Sequence, residues 1–107
     1  AEWPALIVTP SSVKLNWADE LEKWIPDLPP GAINIVKSRT FPGNLDAPIS
    51  IITYGMFCNK STVAELVAKK DFQVVILDES HYIKNNTSIR TKLLRPILTQ
   101  SRRLALL

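Results

Sequence analysis

Several residue types that carry protein chemistry are scarce in this chain of 107 residues. It has one cysteine, Cys58, and one histidine, His81, so neither an internal disulfide nor a zinc site built from cysteine and histidine is expected. A lone thiol favours a reducing compartment, with Cys58 in a structural role. The three glycines cannot hide a phosphate-binding loop, and no G-x-x-x-x-G-K-[ST] motif occurs.

Long apolar runs are also missing. A membrane-spanning helix needs ~18 to 20 consecutive apolar residues, and no run in this sequence approaches that length. The opening stretch, AEWPALIVTP, has no basic region before its apolar residues, so no targeting signal can be read from it. The sequence therefore does not predict a membrane as a partner.

What is present is the composition of a folded domain. Hydrophobic residues make up 46% of the chain and charged residues 21%, which excludes intrinsic disorder of the low-hydrophobicity, high-charge kind. The length is that of one domain or part of one. A net charge of +3 and a pI near 9.2 are compatible with a polyanionic partner but do not require one.

Five short apolar runs predict strands. They are ALIVT (5–9), INIVK (33–37), ISIITY (49–54), QVVILD (73–78) and RRLALL (102–107). Several are continuous rather than alternating, which is typical of strands buried on both faces of a parallel sheet. The chain begins and ends on such runs, so we expect it to be part of a larger protein.

Three segments between these runs have the spacing of amphipathic helices. Their apolar positions are Val13, Trp17, Leu21, Trp24 and Ile25 in the first, Val63, Leu66 and Val67 in the second, and Ile89, Leu93, Leu94, Ile97 and Leu98 in the third. We expect Trp17 and Trp24 to lie in the core, and Pro96 to kink the third helix. Alternating strands and helices predict an α/β fold with a mostly parallel sheet and helices on both faces.

The start of each helix has its own signal. Ser11 or Ser12 can cap the first, the Thr62-Val63-Ala64-Glu65 stretch has the spacing of a capping box, and the third is expected to begin near Asn86 or Thr87. Two stretches rich in proline, glycine and polar residues, 26–31 and 38–48, are predicted surface connections.

An aliphatic strand runs directly into two acids, Asp78 and Glu79. In open α/β sheets the working groups gather at the carboxyl ends of the strands. One interpretation is an ordinary surface turn after a core strand. The other is a nucleotide-hydrolysis site, in which the first carboxylate holds Mg²⁺ through its water shell and the second orients or deprotonates the attacking water. His81 can link the acids to a neighbouring element or be a purely structural histidine.

The continuation of this stretch, Asp78-Glu79-Ser80-His81 followed by Lys84-Asn85, resembles the Walker B motif (DESH box) of the SNF2 family within helicase superfamily 2. LIVTPSSVKLNWADELEKW resembles motif Ia of that family, ISIITYGMF resembles motif Ib, and RRLALL resembles the strand that enters motif III. The motifs occur in the family's order along nearly the whole chain. The serine of the box, with EWP, EKWIP and SHYIKN, is most similar to the annealing-helicase branch.

The resemblance implies a role for each matching residue. Asp78 is expected to help bind Mg²⁺, Glu79 to activate the hydrolytic water, and His81 to couple the nucleotide state to motif III or to a second lobe. Thr9, Ser11 and Ser12 are expected where motif Ia meets the DNA backbone, and Thr53 and Tyr54 along the same DNA track. Hydroxyls and amides at a helix N-terminus suit a phosphate, although the two serines can equally be helix caps.

The resemblance also implies an architecture and partners. Residues 1–107 are expected to be part of the RecA-like, P-loop NTPase-type ATP-binding lobe, a three-layer domain, from motif Ia to the start of motif III. The Walker A loop and a second lobe are expected elsewhere in a parent protein that uses ATP and Mg²⁺ on double-stranded or forked DNA in fork remodelling or repair, with replication or repair proteins as possible partners. The parent is expected in the nucleus if eukaryotic, and the 107 residues alone are expected to be inactive.

Four other assignments compete with this one. A signalling receiver domain also has a parallel sheet with an aspartate at a strand end, but it needs an acidic pair after its first strand, where this chain has Thr9-Pro10. A catalytically silent DNA-binding or interaction module of the same fold is the second, and a chromatin-remodelling member of the family is the third. An RNA-directed helicase is the nearest relative outside the family, and the Ser-His-Tyr-Ile-Lys-Asn continuation does not favour it.

Overall fold

The computed structural model describes residues 4–58, 61–79 and 89–106. The elements in chain order are β1 (Ala5–Thr9), a 3-10 turn (Ser11–Val13), α1 (Lys14–Trp24), β2 (Ile33–Ile35), β3 (Ile49–Thr53), a second 3-10 turn (Tyr54–Met56), α2 (Thr62–Lys69), β4 (Val74–Leu77), α3 (Ile89–Gln100) and β5 (Arg103–Leu106). All five predicted strands are present, each within the range that the sequence indicated.

The five strands form one sheet in the order β2-β3-β1-β4-β5, and every neighbouring pair is parallel. In the central register Val8 lies between Ile52 of β3 and Leu77 of β4, and Thr9 lies opposite Thr53. The carboxyl ends of β1, β3 and β4 therefore meet at one edge of the sheet, which we call the carboxyl edge. The predicted parallel α/β sheet is confirmed.

Helices cover both faces of the sheet, which gives three layers. One face packs against α2 and α3, where Leu6, Val8, Ile52, Val75 and Leu77 of the strands meet Val63, Val67, Leu94 and Ile97 of the helices. The other face packs against α1, where Ile7, Ile49 and Ile51 meet Trp17, Ala18 and Leu21. Because successive strand residues point to opposite faces, the position after Leu77 faces α1, and Asp78 occupies it.

The helices α1 and α2 each bury a face that is rotated from the one predicted. Trp24 is 71% exposed and Leu66 is 39% exposed, so their expected burial is wrong. Successive helix residues rotate by about 100°, and the packed sector of α1 includes Ala18, which moves Trp24 to its margin. In α2 the packed sector includes Ala64, and this turns Leu66 toward solvent.

The helix starts also differ from the prediction. The cap of α2 is Ser61, whose Oγ accepts a hydrogen bond from the Ala64 N–H at 3.1 Å, so the expected box starting at Thr62 is wrong by one residue. Neither Ser11 nor Ser12 caps α1 through its side chain, because both belong to the 3-10 turn that precedes it. The hydroxyls of this turn are therefore not used as helix caps.

The helix α3 continues through Pro96 and buries Leu94 and Ile97, as the pattern predicted. Its expected start near residues 86–87 falls outside the described residues. The following strand, β5, is exposed along its whole length, unlike the central strands β1 and β3. Among the described residues, no helix is long and apolar enough to cross a membrane.

The predicted connection over residues 38–48 is held against α2 by two contacts. The Val63 N–H donates to the Arg39 carbonyl at 2.9 Å, and the Lys70 ammonium pairs with the Asp46 carboxylate. The hydrogen bond from Lys70 and its positive charge lower the pKa of the exposed Asp46 carboxyl. An exposed pair of this kind adds little to stability, so it orients the loop more than it stabilises the fold.

Candidate active site at the carboxyl edge of the sheet

The carboxyl edge brings together residues that are far apart in the chain. The Asp78 N–H donates to the Val8 carbonyl at 2.9 Å, which continues the β1–β4 ladder by one residue beyond the strand. The Asp78 backbone is therefore part of the sheet's hydrogen-bond ladder, beside Thr9. A carboxylate fixed on a strand end in this way is suited to a role that demands a constant position.

The Asp78 carboxylate is held by two side chains from different elements. The Thr9 hydroxyl donates to Oδ2 at 3.0 Å, and the Trp17 indole Nε1–H donates to the same oxygen at 2.9 Å. Hydrogen bonds to an ionised oxygen are shorter and stronger than neutral ones. Two such donors on one oxygen fix the rotation of the carboxylate.

The turn that follows Asp78 is also constrained. The Tyr54 hydroxyl donates to the Asp78 carbonyl at 2.7 Å, and Glu79 has a φ of 56°. This left-handed conformation is uncommon for a residue other than glycine and costs free energy. The strand end therefore turns sharply at Glu79 and leaves that carboxylate exposed at the edge.

The residues expected to contact DNA divide into two groups. Thr9, Thr53 and Tyr54 are buried, and the hydroxyls of Thr9 and Tyr54 are bonded to Asp78. The predicted contact between Thr9, Thr53 or Tyr54 and a DNA backbone stays a prediction. Ser11 and Ser12 are exposed and lie in the turn that follows β1. His81, the third predicted catalytic residue, lies outside the described residues.

Trp17 is the site residue that the sequence analysis missed. The apolar stripe placed it in the core, and its ring is indeed half-buried against the cluster of Ile7, Ile49 and Ile51. Its indole N–H, however, binds Asp78. The available signal was chemical: a tryptophan that packs against a core needs a partner for its N–H, and the apolar pattern alone cannot identify that partner.

The chemistry of Asp78 fits a magnesium ion bound through water. Mg²⁺ prefers hard oxygen ligands, keeps several waters and needs only one or two protein carboxylates. Within the described ranges, no group of three or more histidine, cysteine, aspartate or glutamate residues could hold a metal. A single fixed carboxylate such as Asp78 suits a site of this water-mediated kind.

A model of the SNF2-related domain matches residues 1–107, the whole chain. The chain belongs to the SNF2-related domain family. This membership confirms the family resemblance that the sequence motifs indicated.

Curated relatives are similar over nearly all of the chain. It is 43% identical to the DNA annealing helicase and endonuclease ZRANB3 of Mus musculus and 39% identical to that of Homo sapiens, each over 99% of this chain and 10% of the relative. It is 35% identical to the SWI/SNF-related matrix-associated actin-dependent regulator of chromatin subfamily A-like protein 1 of Xenopus tropicalis, over 99% of this chain and 11% of that protein. The chain thus spans about a tenth of these relatives.

A solved structure supports the fold. The Sulfolobus solfataricus SWI2/SNF2 ATPase core in complex with dsDNA matches with a TM-score of 0.80 and 24% identity, over 98% of this chain and 21% of that one. The likeness shows the fold of such a core, and the RecA-like α/β architecture is confirmed.

Proposed function

We propose that this chain forms part of the first RecA-like lobe of an ATP-dependent DNA translocase that anneals or remodels DNA. Membership of the SNF2-related family supports an ATPase. The names of the relatives, an annealing helicase and a chromatin regulator, support DNA as the polymer on which it acts. The higher identity to the annealing helicase favours annealing over chromatin remodelling.

The nucleotide chemistry belongs to Asp78 and Glu79. Asp78 would hold Mg²⁺ through a water of its shell, and Glu79 would accept the proton of the water that attacks the γ-phosphate. The metal neutralises charge on the phosphates when it is bound. The observation that carries this assignment is the fixed Asp78 carboxylate, held by donors from β1 and α1, directly before a strained and exposed glutamate.

The DNA contact is assigned to the turn after β1. Ser11 and Ser12 present exposed hydroxyls and main-chain amides at the approach to α1, and such groups bind phosphate oxygens without reading sequence. The solved relative is a complex with dsDNA, which supports double-stranded DNA as the ligand. Thr9, Thr53 and Tyr54 support the edge from inside and shape the surface that DNA meets.

The remaining parts of the motor are expected outside these residues. No phosphate loop occurs in the 107 residues, so tight ATP binding needs a Walker A loop and a second lobe with an arginine finger. The 107 residues alone are therefore expected to be inactive. A nuclear location in a eukaryote, a role in replication-fork repair, and His81 as the link to the second lobe complete the proposal.

The experiment is DNA-stimulated ATP turnover by the complete protein, comparing wild type with Glu79→Gln. Because glutamine cannot accept the water proton, we expect turnover to fall by about a hundredfold or more while ATP binding, measured in parallel, persists. Glu22→Gln, on the exposed surface of α1, is the matched control for the loss of one carboxylate and should retain wild-type turnover.

Two results would contradict the proposal. If the wild-type protein shows no DNA-stimulated turnover, the acids have no catalytic role and a silent DNA-binding module becomes the better description. If Glu79→Gln retains its turnover, Glu79 does not activate the water.

A further inference from the structure

We infer that Trp17 is a positioning residue for the magnesium-binding carboxylate: together with Thr9 it fixes Asp78 so that the other carboxylate oxygen, Oδ1, receives the metal-bound water. The inference rests on the proposed function, and it deepens that function by assigning a task to a residue of α1. It concerns the orientation of Asp78 and not a contact between Trp17 and nucleotide.

One oxygen of the Asp78 carboxylate already accepts two hydrogen bonds. Both donors, the Thr9 hydroxyl at 3.0 Å and the Trp17 Nε1–H at 2.9 Å, end on Oδ2. Across the part of the chain that the structure describes, these are the side-chain hydrogen bonds to this carboxylate. Oδ1 is consequently the oxygen that remains to accept a hydrogen bond from a water of the Mg²⁺ shell.

Both donors to Asp78 belong to packed parts of the fold. The Trp17 ring packs against Ile7 and its neighbours on the α1 face of the sheet, and this packing limits the movement of the indole. Thr9 is buried at the end of β1, in the register next to Asp78. A carboxylate held by two fixed donors needs little reorganisation when the metal arrives, which is the benefit of preorganisation.

The test compares Trp17→Phe with Trp24→Phe in the complete protein. Phenylalanine keeps an aromatic ring at position 17 and removes the N–H donor. Trp24 lies on the same helix with its ring 71% exposed, so it controls for the loss of an indole. Two quantities are measured: the Mg²⁺ concentration that gives half-maximal DNA-stimulated turnover, and the affinity for a fluorescent ATP analogue in Mg²⁺ and in EDTA.

We expect Trp17→Phe to raise the required Mg²⁺ concentration by about fivefold, because it removes one hydrogen bond to a charged group. Turnover should recover at saturating Mg²⁺, the affinity for the analogue should weaken in Mg²⁺, and the affinity in EDTA should stay unchanged. Trp24→Phe should match wild type in all of these. Thr9→Val removes the other donor from the same oxygen and should shift the Mg²⁺ requirement in the same direction.

An unchanged Mg²⁺ requirement in Trp17→Phe would overturn the inference. So would a loss of turnover that high Mg²⁺ does not restore in a folded protein, because that result describes a structural residue. If Trp17→Phe fails to fold, Thr9→Val decides: a wild-type Mg²⁺ requirement in that variant means that hydrogen bonding to Oδ2 does not tune the metal site.

These results separate the inference from the proposed function. If Glu79→Gln abolishes turnover while Trp17→Phe behaves as wild type, the motor assignment stands and the positioning role falls. If the wild-type protein shows neither turnover nor nucleotide binding that depends on Mg²⁺, both fall together.

Discussion

Ser50 is a polar residue in the middle of the buried strand β3. Its side chain is fully buried, and its Oγ makes no hydrogen bond with the described residues. A buried hydroxyl without a partner costs about 1 to 3 kcal/mol. We therefore expect Ser50→Ala to stabilise the sheet by about 1 kcal/mol, measured by hydrogen exchange of the β3 amides in the complete protein.

Ser50→Thr is the informative comparison for that prediction. It keeps the hydroxyl and adds a methyl group to a packed strand, so we expect it to be no more stable than wild type, since overpacking also has a cost. Faster β3 exchange in Ser50→Ala than in wild type would mean that the hydroxyl has a partner that compensates its burial.

At the residue scale, the sequence predicted the acids better than their surroundings. Asp78 could be placed at a strand end because the aliphatic run before it has a clear length, and strand ends meet at one edge in a parallel sheet. The partners of Asp78 could not be predicted, because the Trp17 contact depends on the rotation of α1 over the sheet. The burial of Thr9 and Tyr54 likewise follows from tertiary packing and not from local pattern.

At the scale of elements, the start of α2 gives a direct test of which residue is the cap. Ser61 accepts from the Ala64 N–H, whereas Thr62 is the exposed first residue of the helix. We expect Ser61→Ala to destabilise α2 by about 1 kcal/mol and Thr62→Ala to change its stability little. Hydrogen exchange of the α2 amides measures the stability of the helix in both variants. A larger loss of stability in Thr62→Ala than in Ser61→Ala would mean that Thr62 is the cap, as the sequence predicted.

The strands were predicted more fully than the buried faces of α1 and α2, for a physical reason. A strand buried on both faces needs only an apolar run, and β1 and β3 satisfy that condition. A helix packs only one of its faces against the sheet. Small residues such as Ala18 and Ala64 belong to that packed face, although they do not stand out as apolar positions in the sequence. The spacing of the large apolar residues therefore predicted more burial for Trp24 and Leu66 than the structure shows.

At the scale of the whole molecule, the residues that stabilise the fold and the residues with proposed functional roles lie in different places. The two apolar layers lie on the faces of the sheet, and the polar residues with assigned roles lie at the carboxyl edge. The helix α1 belongs to both regions, because it covers one face, follows the turn assigned to DNA and supplies the Trp17 donor to Asp78. Under the proposed function, DNA bound at that turn would act on α1, the helix that supplies the Trp17 donor to Asp78.

If the turn after β1 contacts DNA, a negative charge placed there should weaken DNA binding and leave the fold intact. Ser12→Asp places a negative charge just before α1, where the helix dipole favours anions, so we expect unchanged or slightly higher thermal stability. The same charge repels phosphates, so we expect DNA affinity and DNA-stimulated turnover to fall while turnover without DNA persists. Asn44→Asp carries the same charge change in the loop before β3, where the Asn44 Oδ1 accepts from the Asp46 N–H and an aspartate oxygen can do the same. If both variants lose affinity equally, the effect reflects net charge, and the turn after β1 is not the DNA contact.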